Sequence, residues 1–200
     1  ARFQLQGNVS SRNYNPSELG VLDYAYNMSR AVPAFNPDGS RYFYQRTSST
    51  IPVYNFNVLN EMDNSGDKTK GNSINMQAHI SYNVIDNLKL EGTLSYAVSN
   101  TNQSIYFTED TYYVHKLRAD RTERNNMCPV GGELRKNDVR NTNWMVRVQA
   151  NYTKNVGRDG KHNVSGSAGL ELNSQRYDGF NITRRGYHRD RGKLFSSVPQ

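Results

Sequence analysis

The alternation of apolar and polar residues between Ile74 and Val98 constrains this chain more than any other feature. Ile74, Met76, Ala78, Ile80, Tyr82 and Val84, followed by Leu88, Leu90, Gly92, Leu94, Tyr96 and Val98, all hold even positions. A period of two puts them on one side of a strand, because successive side chains point to opposite faces. The break at Ile85-Asp86-Asn87 supplies Asp and Asn, which tolerate left-handed backbone, and reads as a three-residue hairpin loop. Pairing Val84 with Leu88 sets Tyr82 opposite Leu90, Ile80 opposite Gly92 and Ala78 opposite Leu94, so the apolar side chains of both strands share a face. The other face carries Asn75, Gln77, His79, Ser81, Asn83, Lys89, Glu91, Thr93 and Ser95 and is polar throughout.

The same grammar recurs. Trp144, Val146, Val148, Ala150 and Tyr152 alternate with polar residues, and after a polar turn between Gly157 and Gly160 so do Val164, Gly166, Ala168, Leu170 and Leu172; Phe3, Leu5, Gly7 and Val9 form one more such run. Five strands are predicted, near residues 1–9, 74–84, 88–98, 143–154 and 163–173. The turns around Asp86 and Asp159 are short, whereas segments 10–73, 99–142 and 174–200 are long loops. Loops of that length are uncommon in compact soluble domains. Short turns at one end, long loops at the other, strands of about ten residues and one apolar face are the pattern of a transmembrane β-barrel. The expected fold is therefore all-β, with antiparallel strands and hairpins and long loops, as part of a large transmembrane β-barrel.

Composition fits a wall better than a core. Only 35% of the 200 residues are hydrophobic, and 14 of these are Tyr; the mean hydropathy is −0.86. Disordered chains share such hydropathy but are poor in aromatics, which reach 11% here. No run of about 18 apolar residues offers a transmembrane helix, and no signal peptide is recognised. Five strands are fewer than the usual minimum of about 8 for a barrel, so the chain is expected to be a piece of a longer one. Tyr82 and Tyr152 fall near the short turns and Tyr96 and Trp144 near the long loops, all on the apolar face. Trp144 and Tyr152 are separated by roughly 20 Å along a membrane normal at the usual strand rise and tilt, which fits two aromatic girdles.

The loops carry further strings: YNPSELGVLDYAYN (14–27), AFNPDGS (34–40), YNFNVLNEMDNSG (54–66), NLKLEGTLSYAVSNTNQ (87–103), CPVGGEL (128–134) and RYDGFNITRRGYHRDRGKLF (176–195). Together they resemble SusC/RagA-type TonB-linked outer-membrane transporters, with NVLNEM and PVGGEL the most distinctive. The resemblance implies a 22-stranded barrel in the cell outer membrane, energised by TonB and capped by a SusD-like lipoprotein. It implies import of oligosaccharides or peptides, among outer-membrane lipid and lipopolysaccharide. The plug domain and TonB box of such transporters are absent from these residues. The alternative is a soluble secreted all-β carbohydrate- or protein-binding module, whose two-sheet core would hide the same apolar faces.

No catalytic residues, metal site or cofactor are expected. Asp63-Asn64-Ser65-Gly66-Asp67 opens like a calcium loop, but Ile74 stands where a bidentate Glu is needed, so it reads as an Asx-rich turn. Ser165-Gly166-Ser167-Ala168-Gly169 approaches a nucleophile elbow but alternates as a strand, making Ser167 polar wall. His79, His115, His162 and His188 never fall at a ligand spacing, and Cys128, the only cysteine, has no partner for an internal disulfide. The excess of 25 Lys and Arg over 18 Asp and Glu concentrates in two basic runs, His115 to Arg124 and Arg184 to Lys193. These read as solvated loop surface or as contacts for lipopolysaccharide phosphates or an anionic substrate; no nucleic-acid motif accompanies them. Among the loop aromatics, Tyr24, Tyr26, Tyr42, Tyr44, Tyr106, Phe107, Tyr112 and Tyr113 are candidates for substrate or lid contact, with packing inside the loops as the competing use.

Overall fold

A computed structural model describes residues 1–48, 51–119, 129–157 and 162–196. In chain order the elements are β1 (Arg2–Tyr14), a 3₁₀ turn (Ser17–Leu19), α1 (Val21–Asn27), β2 (Tyr44–Ser48), β3 (Ile51–Phe56), α2 (Val58–Asp63), β4 (Ser65–Ile85), β5 (Leu88–Phe107), α3 (Tyr112–Ala119), β6 (Gly132–Val156), β7 (His162–His188) and β8 (Leu194–Phe195). The fold is all-β and mostly antiparallel, with 66% of the described residues in strands and few, short helices. Six strands form one sheet in the order β1-β4-β5-β6-β7-β8, and β2 pairs with β3 in a second. No helix among the described residues is long and apolar enough to cross a membrane.

Each predicted strand overlaps an observed one, but the strands run well beyond the alternating stretches. β4 begins at Ser65 rather than at Ile74, and β7 continues to His188. The length added to β4 is polar on both faces, as in Asp67-Lys68-Thr69-Lys70, and leaves no apolar periodicity to read; that added to β7 carries only the scattered Tyr177, Phe180, Ile182 and Tyr187. The long segments are likewise partly ordered into the short helices and the β2–β3 pair. The turn expected between Gly157 and Gly160 lies mostly outside the described residues, as do Cys128, Arg121 and Arg124.

The chain divides into two compact units. The first, residues 1–10, 71–101 and 138–179, is sheet alone, and its side-chain contacts fix the register. His79 Nδ1 lies 3.1 Å from Thr93 Oγ1, the pairing that follows when Ile80 faces Gly92. Between β6 and β7, Arg147 Nε donates to Glu171 at 2.7 Å and Asn163 Nδ2 to Asn155 at 2.7 Å; both pairs are symmetric about residue 159. Asn151 Nδ2 donates to Glu91 across β5 and β6 at 2.8 Å. All these residues are odd-numbered, so the polar face is a continuous hydrogen-bonded surface. Ser10 Oγ donates to the Gly71 carbonyl at 3.5 Å, and a Cβ on Gly71 would lie 2.8 Å from that hydroxyl. Odd positions of β1 therefore share a face with even positions of β4.

The opposite face is uncovered. Leu5 is 63% exposed, Ile80 61%, Leu94 54%, Val148 54% and Leu170 66%, values that belong to a surface and not to a core. Isolated exposed apolar residues are ordinary, but a contiguous patch spanning five strands marks a contact with something apolar.

The second unit, residues 11–70, 102–137 and 180–200, has a small core of its own. Leu19, Phe107 and Val114 are buried, with Val21, Met62, Ile105 and Tyr113 packed against them. A second aromatic centre forms at Phe56, whose ring lies 5.7 Å from Tyr24, 5.5 Å from Tyr44 and 5.4 Å from Tyr112. Tyr44 sits directly opposite Phe56 in the β2–β3 register.

Candidate functional site

The two most distinctive loop strings are joints in the second unit. In NVLNEM, Asn57 caps α2 by accepting the Asn60 N–H at 3.1 Å, and its amide donates to the carbonyls of Ala34 and Tyr42 at 3.0 and 2.7 Å. Asn60 Nδ2 donates to the Asp110 carbonyl at 2.9 Å. Glu61, wholly buried, accepts the Tyr112 N–H at 2.8 Å and so satisfies a free amide of the first turn of α3. Burial pushes the Glu61 carboxyl above the usual carboxylate range, and its hydrogen bonds with Tyr112 and Tyr113 only partly offset this.

In PVGGEL, glycine is required by contact. A Cβ on Gly132 would fall 1.8 Å from the Phe107 carbonyl oxygen, and one on Gly131, at φ +117°, 2.7 Å from the Gly186 backbone. The close approach delivers Glu133 into the unit, where it is 1% exposed. Glu133 accepts Arg135 Nε at 2.7 Å, Arg185 Nε at 3.2 Å and the Tyr113 hydroxyl at 3.3 Å. Arg135 also pairs with Glu18 and Tyr113 and lies 5.6 Å over the Phe107 ring. Burial, reinforced by the Glu133 charge, pushes the Tyr113 phenol up, so it remains a neutral donor. A buried carboxylate with two guanidinium partners is fully engaged, and that arrangement fixes the orientation of the arginines.

This network forms one wall of a cavity of about 440 Å³. The strands supply the remainder in their two-residue period: Gln103 and Ile105 from β5, Asn137 from β6, and Asn181 and Thr183 from β7; Lys136, of the opposite phase on β6, also borders it. Gln103 is held by Asp67 at 2.8 Å. Lys136, Asn137, Asn181 and Thr183 have no side-chain partner among the described residues. The volume falls within the range of about 300–1,000 Å³ typical of small-ligand sites, but the lining is far more polar than usual.

The aromatic candidates are divided among several uses. Tyr24, Tyr44 and Tyr112 pack around Phe56, which is loop packing. Phe107 is fully buried and stacks at 4.2 Å on Tyr113, so of that pair Tyr113 alone reaches the cavity. Tyr106 lies beneath the Arg189 guanidinium at 4.8 Å, Tyr42 is half-buried, and Tyr26 is 86% exposed. Tyr82, Tyr96, Trp144 and Tyr152 all stand exposed among the even-numbered positions of the apolar face. Of the basic runs, Arg118 donates to the Gly131 carbonyl at 2.7 Å and Arg184 lies over Phe195 at 4.6 Å, so both serve internal packing. His115 is pushed down by burial and by Arg118. His188 lies 2.6 Å from Ser196 Oγ. No group of three potential metal ligands occurs among the described residues.

The sequence reading missed Gln103, Asn137, Asn181, Thr183 and the Glu133–Arg135 pair as site residues. The available signal was phase. Gln103 on β5 and Arg135 and Asn137 on β6 hold the odd phase of Ser95 and Arg147, but Ala97, Val139 and Met145 interrupt the polar run between them. No family model matches the chain, and no curated protein matches it.

Proposed function

We propose that the chain is a wall-and-loop segment of a SusC/RagA-type TonB-dependent transporter of the cell outer membrane, importing oligosaccharides or peptides with a SusD-like lipoprotein. The observation that carries the reading is the contrast between the two sheet faces: an uncovered apolar face bearing Tyr82, Tyr96, Trp144 and Tyr152, and a hydrogen-bonded polar face. In a barrel wall the first meets lipid and the second a polar lumen. The strand lengths support it, since the alternating stretches match the hydrocarbon thickness and the polar extension of β4 suits water outside it. The soluble binding module draws no comparable support, because a two-sheet core would cover Ile80, Leu94 and Leu170, which are 54–66% exposed. Coupling to TonB belongs to the amino-terminal part of such transporters, and lipopolysaccharide would meet the outer loops.

Trp144 is the sole tryptophan, so its emission reports one place on the apolar face. Refolded into vesicles, the chain is expected to show strong Trp144 quenching by phospholipids brominated near the headgroup end of the acyl chain and weaker quenching by lipids brominated near its terminus. Emission insensitive to both lipids would reject the membrane reading.

A further inference from the structure

Three exposed lysines of the second unit, Lys68, Lys70 and Lys136, have no ion-pair partner among the described residues. Other cations of the unit are engaged within the chain: Arg41 with Asp63, Arg118 with Glu109, and Arg135 and Arg185 with Glu133. Strand phase brings the three lysines together. Asp67 of β4 holds Gln103 of β5, which lines the cavity with Arg135, Asn137, Asn181 and Thr183, so odd positions of β4 to β7 share one face. Even positions take the other, where a Cβ on Gly66 would come within 2.8 Å of the Tyr106 ring. That second face carries Lys68 and Lys70 on β4, Asn102 and Ser104 on β5, and Lys136 on β6. Because β5 lies between β4 and β6, the lysines flank an amide and a hydroxyl across about 10 Å, two strand spacings. No even position of β4 to β7 within this unit is acidic. Asp138, two positions beyond Lys136, is the first acid met on β6, which leaves three lysines to one carboxylate. Ammonium groups flanking an amide and a hydroxyl suit phosphate, whose oxygens accept hydrogen bonds from all of them. Height along the strand narrows the source. Lys70 and Lys68 precede Ile74, the first residue of the alternating stretch, by four and six positions. At the usual rise and tilt they stand roughly 10 and 15 Å beyond it, whereas a phospholipid headgroup layer is about 5–8 Å thick. A lipid with phosphates on a sugar head reaches the whole cluster.

We propose that Lys68, Lys70 and Lys136, with Asn102 and Ser104 between them, bind the phosphorylated sugar head of a glycolipid of the lipopolysaccharide type. The proposal rests on the membrane reading, which turns the even positions outward. It places the contact on the strands and not on the basic runs, whose Arg118 and Arg184 serve internal packing. The test is fluorescence anisotropy of labelled lipopolysaccharide, lipid A with its inner-core sugars, titrated with the full chain in detergent micelles at low and high salt. Unlabelled dephosphorylated lipopolysaccharide, phosphatidylglycerol and inorganic phosphate serve as competitors.

Binding is expected, weakening as salt rises. Lys68→Gln, Lys70→Gln and Lys136→Gln should each lower the affinity about threefold to fivefold, and the triple variant about 30-fold to 100-fold. Arg12→Gln removes the same charge from the opposite face, which even positions of β1 share with odd positions of β4, and should leave binding unchanged. All three competitors should displace the probe poorly. An equal loss with Arg12→Gln, full displacement by any one competitor, or no binding by a chain whose circular dichroism shows its strands formed would each overturn the proposal. Trp144 quenching is read separately: with quenching present, failure here removes this site and leaves the membrane reading standing, whereas absent quenching removes the reading on which the site rests.

Discussion

A single arginine moved along β5 measures what the even-numbered face touches. β5 starts at Leu88, so at a rise of about 3.3 Å per residue and a tilt near 40° Leu90 lies about 5 Å from the turn and Leu94 about 15 Å. In an apolar band about 25 Å tall, Leu94 is close to the midplane and Leu90 close to the boundary. Arginine on the lipid face costs about 2–4 kcal/mol at the midplane and about 0–1 near the interface. Leu94→Arg should therefore exceed Leu90→Arg by about 2 kcal/mol, roughly a thirtyfold change in the folded-to-unfolded ratio. The control is Gln77→Arg. The contact of His79 with Thr93 sets Gln77 opposite Ser95, at the same depth as Leu94 but on the polar face, where an added cation is nearly neutral. Urea titration of the chain refolded in phosphatidylcholine vesicles, followed by Trp144 fluorescence, gives the three midpoints; an unchanged slope assigns the shift to stability. Equal losses for Leu94→Arg and Gln77→Arg, or the same loss at Leu90 as at Leu94, would refute the lipid assignment.

Two further outcomes follow from the loop unit. Glu61 has a raised carboxyl pKa in the folded chain, so the stability linked to its protonation is complete below the ordinary value near 4.5 and is lost as pH rises through the higher folded value. Glu61→Gln keeps an acceptor for the Tyr112 N–H and should flatten this part of the pH profile of urea midpoints. Glu61→Ala strands that amide and should cost about 1–3 kcal/mol, read as a fall in the midpoint by circular dichroism. Gly132→Ala drives a Cβ into the Phe107 carbonyl and should cost about 1–3 kcal/mol, whereas Gly92→Ala, with open space around it, should change thermal stability by less than about 0.5 kcal/mol.

What could be read from residues alone was decided by contrast. Ile80 beside His79, or Leu170 beside Glu171, announces a face because one side differs from the other. Where both sides are polar, as along Asp67 to Lys70, a strand has the same composition as a loop, and β4 doubles in length without a signal. The helices α1, α2 and α3 have at most eight residues, too few turns for a 3.6-residue period to emerge. Glu61 and Glu133 look like ordinary surface acids because burial of a carboxylate depends on partners far away in sequence: Tyr112 for the first and Arg185 for the second. The aromatic candidates were visible as a set, but their division between packing and exposure depends on Phe56, a residue no more prominent in the sequence than its neighbours.

The contacts made by α2 bear on how such loops can change over time. Asn57, Asn60 and Glu61 reach Ala34, Tyr42, Asp110 and Tyr112 only through main-chain oxygens and an amide. A bond to the backbone asks nothing of the side chain it passes. Within residues 34–42 and 110–112, side chains other than those of Arg41, which donates to Asn60, and Tyr112, which packs on Phe56, can therefore be exchanged while this short helix keeps the stretches anchored. Tolerance of substitution in those stretches and intolerance of it at Asn57 and Glu61 are two expected results of the same wiring.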